Sequence, residues 1–203
     1  RLGWYAQQFH KIQAMINCES EKMIIWDADC VPLRPISLFN DFNQPIYMES
    51  SYETYQPYFE YIERLLKLEK VVPFSFVVPG FPMRQEWLDI FIKELESLAS
   101  GRTWFEVLIE NIDFSLRSGF SETETLGTWS ANHYKDSWEL CNYKWERRGQ
   151  NKFGYARNLS IGRIRKIGKY MGIDVVSFEN WDLRGFAFYR KRLMEKLNIR
   201  QYR

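Results

Sequence analysis

Cysteine, glycine, proline and long apolar runs are all scarce in this 203-residue chain, and each scarcity excludes something. The three cysteines, Cys18, Cys30 and Cys141, are an odd, scattered set without CxxC spacing. They argue against a disulfide framework or a zinc site and for free core thiols in a reducing compartment. Eleven glycines and seven prolines are too few for a collagen-like or linker-like chain. No stretch approaches the roughly 18–20 apolar residues of a membrane-spanning helix. A charged leader followed by an apolar run and a small-residue cleavage site is not visible either. The chain opens on Arg1, inside a segment that is already patterned, so upstream sequence is expected to be missing. No internal repeat or low-complexity segment is present. What the chain has instead is an ordinary globular balance, 45% hydrophobic and 27% charged, with an aromatic content of 17%. That composition excludes wholesale disorder and leaves flat rings to spare for stacking.

The net charge of +2 conceals a division. Residues 144–203 hold 16 Lys/Arg against 5 Asp/Glu, whereas residues 1–143 hold 12 against 21. We read residues 1–203 as one domain with an acidic part that suits a cation and a basic C-terminal third that suits an anionic partner. Peripheral contact with a membrane surface through the basic third is one such partnership, and a cytoplasmic protein at the inner face of the membrane is expected. Nucleic acid is not, since no recognition-helix or RNA-binding signature is present. The other reading of Arg163–Lys169 is a solvated basic helix face.

Apolar spacing predicts helices over Gly3–Ile16, Tyr55–Lys70, Arg84–Ala99, Thr103–Asn111 and Arg184–Leu197. Ser121 is placed to cap a further helix, with Glu124 at its third position completing a capping box. Strands are expected at Lys22–Trp26, Gln44–Met48, Val71–Val78 and Gly172–Phe178. Such alternation argues for an α/β layered domain with a short central sheet, mixed or parallel, and helices on both faces.

The sharpest feature is Asp27-Ala-Asp29, directly after the apolar run Met23-Ile-Ile-Trp26. If the run is a buried strand, two like charges stand at its rim and require a cation or strong donors. Alternate residues of an extended chain point the same way, so both carboxylates can reach one hard divalent ion, Mn²⁺ or Mg²⁺. Two chemistries use this arrangement. One neutralises the departing diphosphate of a nucleotide sugar. The other is that of haloacid dehalogenase-like phosphohydrolases, with Asp27 as nucleophile, but it needs a late acidic pair. Asp174 is isolated, and Glu179 and Asp182 lack that spacing. A carbohydrate-binding module without catalysis is the third alternative.

Four separated segments resemble, in order, an uncharacterised bacterial family of DxD-containing, GT-A-like glycosyltransferases. They are Gly3-Trp-Tyr-Ala-Gln-Gln8 with Lys11, Trp26-Asp-Ala-Asp-Cys-Val-Pro-Leu-Arg-Pro-Ile36, Pro57-Tyr-Phe-Glu60, and Ser118-Gly-Phe-Ser-Glu-Thr-Glu-Thr-Leu-Gly127. The resemblance covers about residues 3–130. Cys30 stands where the pattern has Thr, and Val78-Pro-Gly-Phe-Pro82 stands where relatives carry His. The resemblance implies a Rossmann-related, nucleotide-diphospho-sugar transferase fold that is incomplete at its N-terminus. It also implies a metal-dependent transferase of polysaccharide biosynthesis, with a nucleotide-sugar donor and a glycan or lipid-linked acceptor.

Under that reading Asp29 ligates the metal, and Asp27 reaches the sugar, the ribose or the metal. Lys11, Gln7 and Gln8 line one edge of the donor site. Arg34 meets a phosphate, or else forms a structural salt bridge with a nearby Glu. Glu122, in a loop entering a helix, is the candidate base or acceptor anchor. His133 is a second metal ligand or phosphate donor, its alternative being a satisfied surface histidine, and His10 is structural. Tyr52, Tyr55, Tyr58 and Phe59 offer a stacking platform, although Tyr58 and Phe59 fall on an apolar stripe. Trp129, Trp138, Trp145 and Trp181 border the basic third.

Overall fold

The computed structural model describes residues 2–50, 54–179 and 182. The expected helix Arg184–Leu197, Tyr52 and Trp181 lie outside them. In chain order the elements begin with α1 (Leu2–Ile16), β1 (Lys22–Trp26), β2 (Cys30–Pro32), β3 (Ile46–Met48), α2 (Gln56–Leu66), β4 (Gly80–Arg84) and α3 (Gln85–Leu98). They continue with α4 (Trp104–Glu110), α5 (Glu122–His133), β5 (Glu139–Cys141), β6 (Trp145–Glu146), α6 (Gly149–Phe153), α7 (Ile161–Met171) and β7 (Val175–Ser177). The protein is mixed α/β, and the expected single central sheet is divided, among the described residues, into three small ones. These are β1–β4 antiparallel, β3–β5 parallel, and a three-stranded sheet of order β2-β7-β6. No helix of the described residues is long and apolar enough to cross a membrane.

The chain forms two compact units, one of Arg1–Trp26 with Ser37–Asn142, the other of Asp27–Ile36 with the chain from Tyr143 onward. In the first, α1 buries Tyr5, Phe9, Ile12 and Met15, α2 buries Tyr61, Ile62 and Leu65, and α3 buries Trp87, Leu88, Phe91 and Leu95. These stripes follow the helical period and close on one core. Phe9 stacks on Phe120 with centroids 5.5 Å apart. Trp87 stacks on Tyr134 at 4.1 Å. Surrounded by these stripes, α5 is buried continuously from Glu122 to Ala131, although its sequence is rich in Thr, Ser and Glu.

Two strand expectations are corrected. β1 is not sealed on both faces, because Met23 is buried while Ile24 is 52% exposed. Its partner is β4, with Trp26 opposite Gly80. A Cβ on Gly80 would lie 2.5 Å from the Trp26 ring, so the indole occupies the space a side chain would take. The expected strand Val71–Val78 makes no ladder beyond a single bridge between Ser50 and Ser75. Its backbone donors go elsewhere. Phe76 N–H donates to the Glu124 carboxylate at 2.9 Å, and Val77 N–H donates to Ser75 Oγ at 3.1 Å. Donors taken by side chains are lost to a sheet. The strand forms instead at Gly80–Arg84, where Pro82 is tolerated in a two-stranded pair.

The second unit has its own small core of Leu33, Phe153, Ile164, Ile173 and Val176. Helix α7 starts at Ser160, whose hydroxyl accepts from Arg163 N–H at 3.3 Å. It ends at Gly172, in the left-handed region at φ 63°, with Ile173 N–H returning to Gly168 O at 2.8 Å. That pattern is a glycine-terminated helix end.

Gly127 on α5 faces the buried Phe76 ring, and an added Cβ would come within 2.2 Å of it. Gly127→Ala should therefore lower stability by about 1–3 kcal/mol through overpacking, read as a reduced urea midpoint; an unchanged midpoint would refute this packing. Burial raises the Tyr61 phenol above its ordinary value of 10.0, and its hydroxyl donates to Leu108 O at 2.9 Å. Below pH 10 the phenol is neutral whether folded or not; above it the unfolded chain ionises more readily, so stability falls as pH rises. Tyr61→Phe should show a shallower alkaline decline than the parent in urea titrations run above pH 10.

Candidate functional site

Three of the four segments that carry the resemblance meet in the first unit, at the start of α5. Tyr5 on α1 accepts a hydrogen bond from Gly119 N–H at 2.8 Å. One and two turns along the same face are Gln8, whose Oε1 accepts from Glu122 N–H at 3.5 Å, and Lys11, whose Nζ lies 2.8 Å from Glu122 Oε1. Tyr58, from the Pro57–Glu60 segment on α2, has its phenol raised first by burial and further by the Glu122 charge, against a hydrogen bond with Ser118 that lowers it. The i, i+3 spacing puts Gln8 and Lys11 on one face of α1; Gln7 is on the exposed side, apart from them. Glu122 is only 2% exposed and Lys11 17%, so the carboxylate is sealed and the ammonium keeps a partly accessible face. A helix N-terminus adds its own favourable field for the carboxylate.

Glu124, two residues on, is fully buried and has four donors. Lys70 Nζ pairs with Oε1, Ser75 Oγ donates at 2.7 Å, Phe76 N–H at 2.9 Å and Thr128 Oγ1 at 3.2 Å. Burial pulls the Lys70 ammonium below its ordinary range, and Glu124 opposes that shift. The expected capping box is thus half formed. Ser121 Oγ accepts from Glu124 N–H at 3.3 Å, but the Glu124 side chain turns to Lys70, the Ser75 hydroxyl and the Phe76 N–H. The full box occurs at α4, where Thr103 Oγ1 accepts from Glu106 N–H and Glu106 accepts from Thr103 N–H at 2.9 Å. Lys70 is the charged residue that sequence reasoning missed. Its one signal is a lysine directly before the apolar pair Val71-Val72, where a cation drawn inward needs a partner.

In the second unit Asp27 and Asp29 occupy a turn between β1 and β2, closed by Cys30 N–H donating to Asp27 O at 2.9 Å. The extended-chain geometry expected for the pair is therefore replaced by a turn, with Asp27 half-buried and Asp29 exposed. The turn is anchored: Phe178 N–H donates to Asp29 O at 2.9 Å. Buried Cys30 sits with Sγ 2.9 Å from Ser177 Oγ, which also accepts from Trp145 Nε1 at 2.7 Å. Burial pushes the Cys30 thiol far up, so it is a packing group rather than a nucleophile. Arg34 pairs with Asp174 and lies over the Tyr143 ring at 4.8 Å. The Asp174 carboxyl is held low chiefly by that Arg34 hydrogen bond.

His133 belongs to the first unit, stacked on Trp129 at 4.5 Å. Its Nδ1 is 2.9 Å from Trp129 O and its Nε2 3.6 Å from Glu94. Among the described residues no group of three or more His, Cys, Asp or Glu is placed to hold a metal ion. Of the aromatics offered for stacking, Tyr58 and Trp129 are core residues, Trp129 donating to Glu94 at 2.7 Å, and Trp138 packs on Tyr47 and Phe74. No protein-family model matches the chain, and no curated protein matches it.

Glu124→Gln should destabilise the protein by about 3–5 kcal/mol, because it leaves Lys70 buried without its counter-charge. Glu124→Gln with Lys70→Met should recover a large part of that loss. Chemical denaturation of the two single variants and the double one measures the coupling, and strictly additive losses would mean that the pair does not interact.

Proposed function

We propose that the protein is a metal-dependent, GT-A-like glycosyltransferase that moves a sugar from a nucleotide-sugar donor to a glycan or lipid-linked acceptor. The observation that carries this reading is the Asp27-Ala-Asp29 turn, which places a half-buried and an exposed carboxylate side by side on a backbone held by the Cys30 and Phe178 N–H groups. Hard oxygen donors of this kind fit Mg²⁺ or Mn²⁺, which are held by one or two carboxylates and complete their shell with substrate phosphates and water. Asp29, the more exposed, and Asp27 would hold the ion. When bound, it supplies charge neutralisation for a departing nucleoside diphosphate.

The convergence of the other three segments on α5 supports the same reading. Lys11 is the group there with an accessible face, so it serves as the cation for a phosphate, and Glu122 and Gln8 serve to hold it. This division of labour follows from exposure. A sealed carboxylate already shared with an ammonium is better placed to orient that ammonium than to take a proton from an acceptor hydroxyl. Arg34 is committed to Asp174 and Tyr143, which favours the structural alternative for it.

Calorimetric titration of UDP and GDP, with and without Mn²⁺, tests the proposal. One nucleotide should bind only with metal, and Asp29→Ala should abolish that binding while leaving the far-ultraviolet dichroism unchanged. Metal-independent binding, or binding that survives Asp29→Ala, would overturn the assignment.

A further inference from the structure

We infer that the outer face of α7 docks on an anionic lipid surface. Carboxylates partner three cations elsewhere in the second unit: Lys152 pairs with Glu146, Arg147 with Glu179 and Arg34 with Asp174. Buried Asp182 accepts from Asn151 N–H at 3.0 Å. The α7 cations are different. Arg163, Arg165, Lys166 and Lys169 are all exposed, and none forms an ion pair with a described residue. The helix itself contains no Asp or Glu.

At 100° per residue the four cations fall in an arc of about 160° opposite the buried residues Ile164 and Gly168. Gly168 fixes this orientation, since a Cβ there would lie 2.2 Å from Leu33 Cδ1; the helix backbone therefore sits directly on Leu33 and its cations face away. Within the cationic arc Tyr170 is 93% exposed, and Ile161 and Met171 are exposed at the two ends. A tyrosine presenting a ring and a hydroxyl among lysines and arginines suits the headgroup layer, where amphipathic rings concentrate. The apolar stripe of α7 is occupied by its own unit, so attachment rests on charge, with each cation near an anionic membrane contributing roughly a five-fold factor in binding. Nucleic acid fits less well. The outer face carries none of the Asn, Gln, Ser or Thr side chains that read base edges beside arginine.

The test is co-sedimentation of the full chain with vesicles of phosphatidylglycerol and phosphatidylcholine in equal parts, and with phosphatidylcholine alone. Binding is expected only to the anionic vesicles and should weaken as salt rises. Lys166→Ala with Lys169→Ala should cost roughly thirty-fold, as two such factors multiply; both side chains are exposed, and unchanged dichroism verifies the fold. Tyr170→Ala should weaken binding while keeping its salt dependence. Absence of binding, equal binding to neutral vesicles, or undiminished binding by the double alanine variant would overturn the proposal. Preference for duplex DNA or RNA over anionic vesicles at the same salt would overturn it in favour of nucleic acid.

Discussion

Two carboxylates buried within one helical turn set the terms for the larger unit. Glu122 and Glu124 open α5, and neither is more than 2% exposed. Like charges that close together, out of water, demand compensation. They receive it from two directions, Lys11 on α1 and Lys70 just beyond α2. The helix N-terminus contributes its field to both. Because the compensating lysines come from distant parts of the sequence, neutralising α5 also fixes where α1 and the 70–76 segment must lie. Phe76 illustrates the coupling. Its N–H is held by Glu124, and its ring fills the space that Gly127 leaves empty on the same helix.

That constraint explains which elements were legible in the sequence. Helices α1, α2 and α3 carry apolar stripes with the helical period, and their bounds fall within a few residues of the expected ones. Strand β1 matches its apolar run, and Ser121 caps α5 as its residue type suggests. Val71–Val78 has the composition of a strand without forming one, because β-branched residues mark a strand only where backbone donors remain for a ladder. Here Glu124, distant in sequence, takes the critical N–H. The same carboxylate misleads locally, since Ser-x-x-Glu looks like a complete capping box whatever lies in space beside it. Strand β4 was hidden by Pro82, which a two-stranded pair accommodates. Helix α7 was visible only as a basic stretch, although its Ser160 cap and Gly172 terminator were both available to be read.

For the candidate site, the sequence identified Gln8, Lys11 and Glu122 separately, and the fold brings them together. It did not identify Lys70, because a lysine beside Lys67 and Glu69 looks like an ordinary solvated charge. The Asp27–Asp29 pair was legible as chemistry but not as geometry. Alternation along an extended chain was the basis for a shared metal, whereas the residues lie in a turn closed by the Asp27 carbonyl. The turn exposes Asp29 while the Phe178 and Cys30 N–H groups restrain the backbone on which both carboxylates stand.

The two Lys–Glu pairs of α5 are chemically alike and physically unlike, and the difference separates scaffold from site. Glu124 is saturated, its two oxygens shared among four donors, and the lysine beside it is depressed by burial. A group in that condition cannot take on a ligand without losing a bond it already has, so its role is to hold the 70–76 segment in place. The Lys11–Glu122 pair has the same charges but an asymmetric exposure, sealed at the carboxylate and partly open at the ammonium. An ammonium fixed by a buried counter-charge loses less freedom on meeting an anion than a lysine at the end of a mobile chain. Saturation therefore assigns Glu124 to stability, and under the proposed function the partly open face leaves Lys11 to recognition, the two glutamates being only two residues apart on one helix.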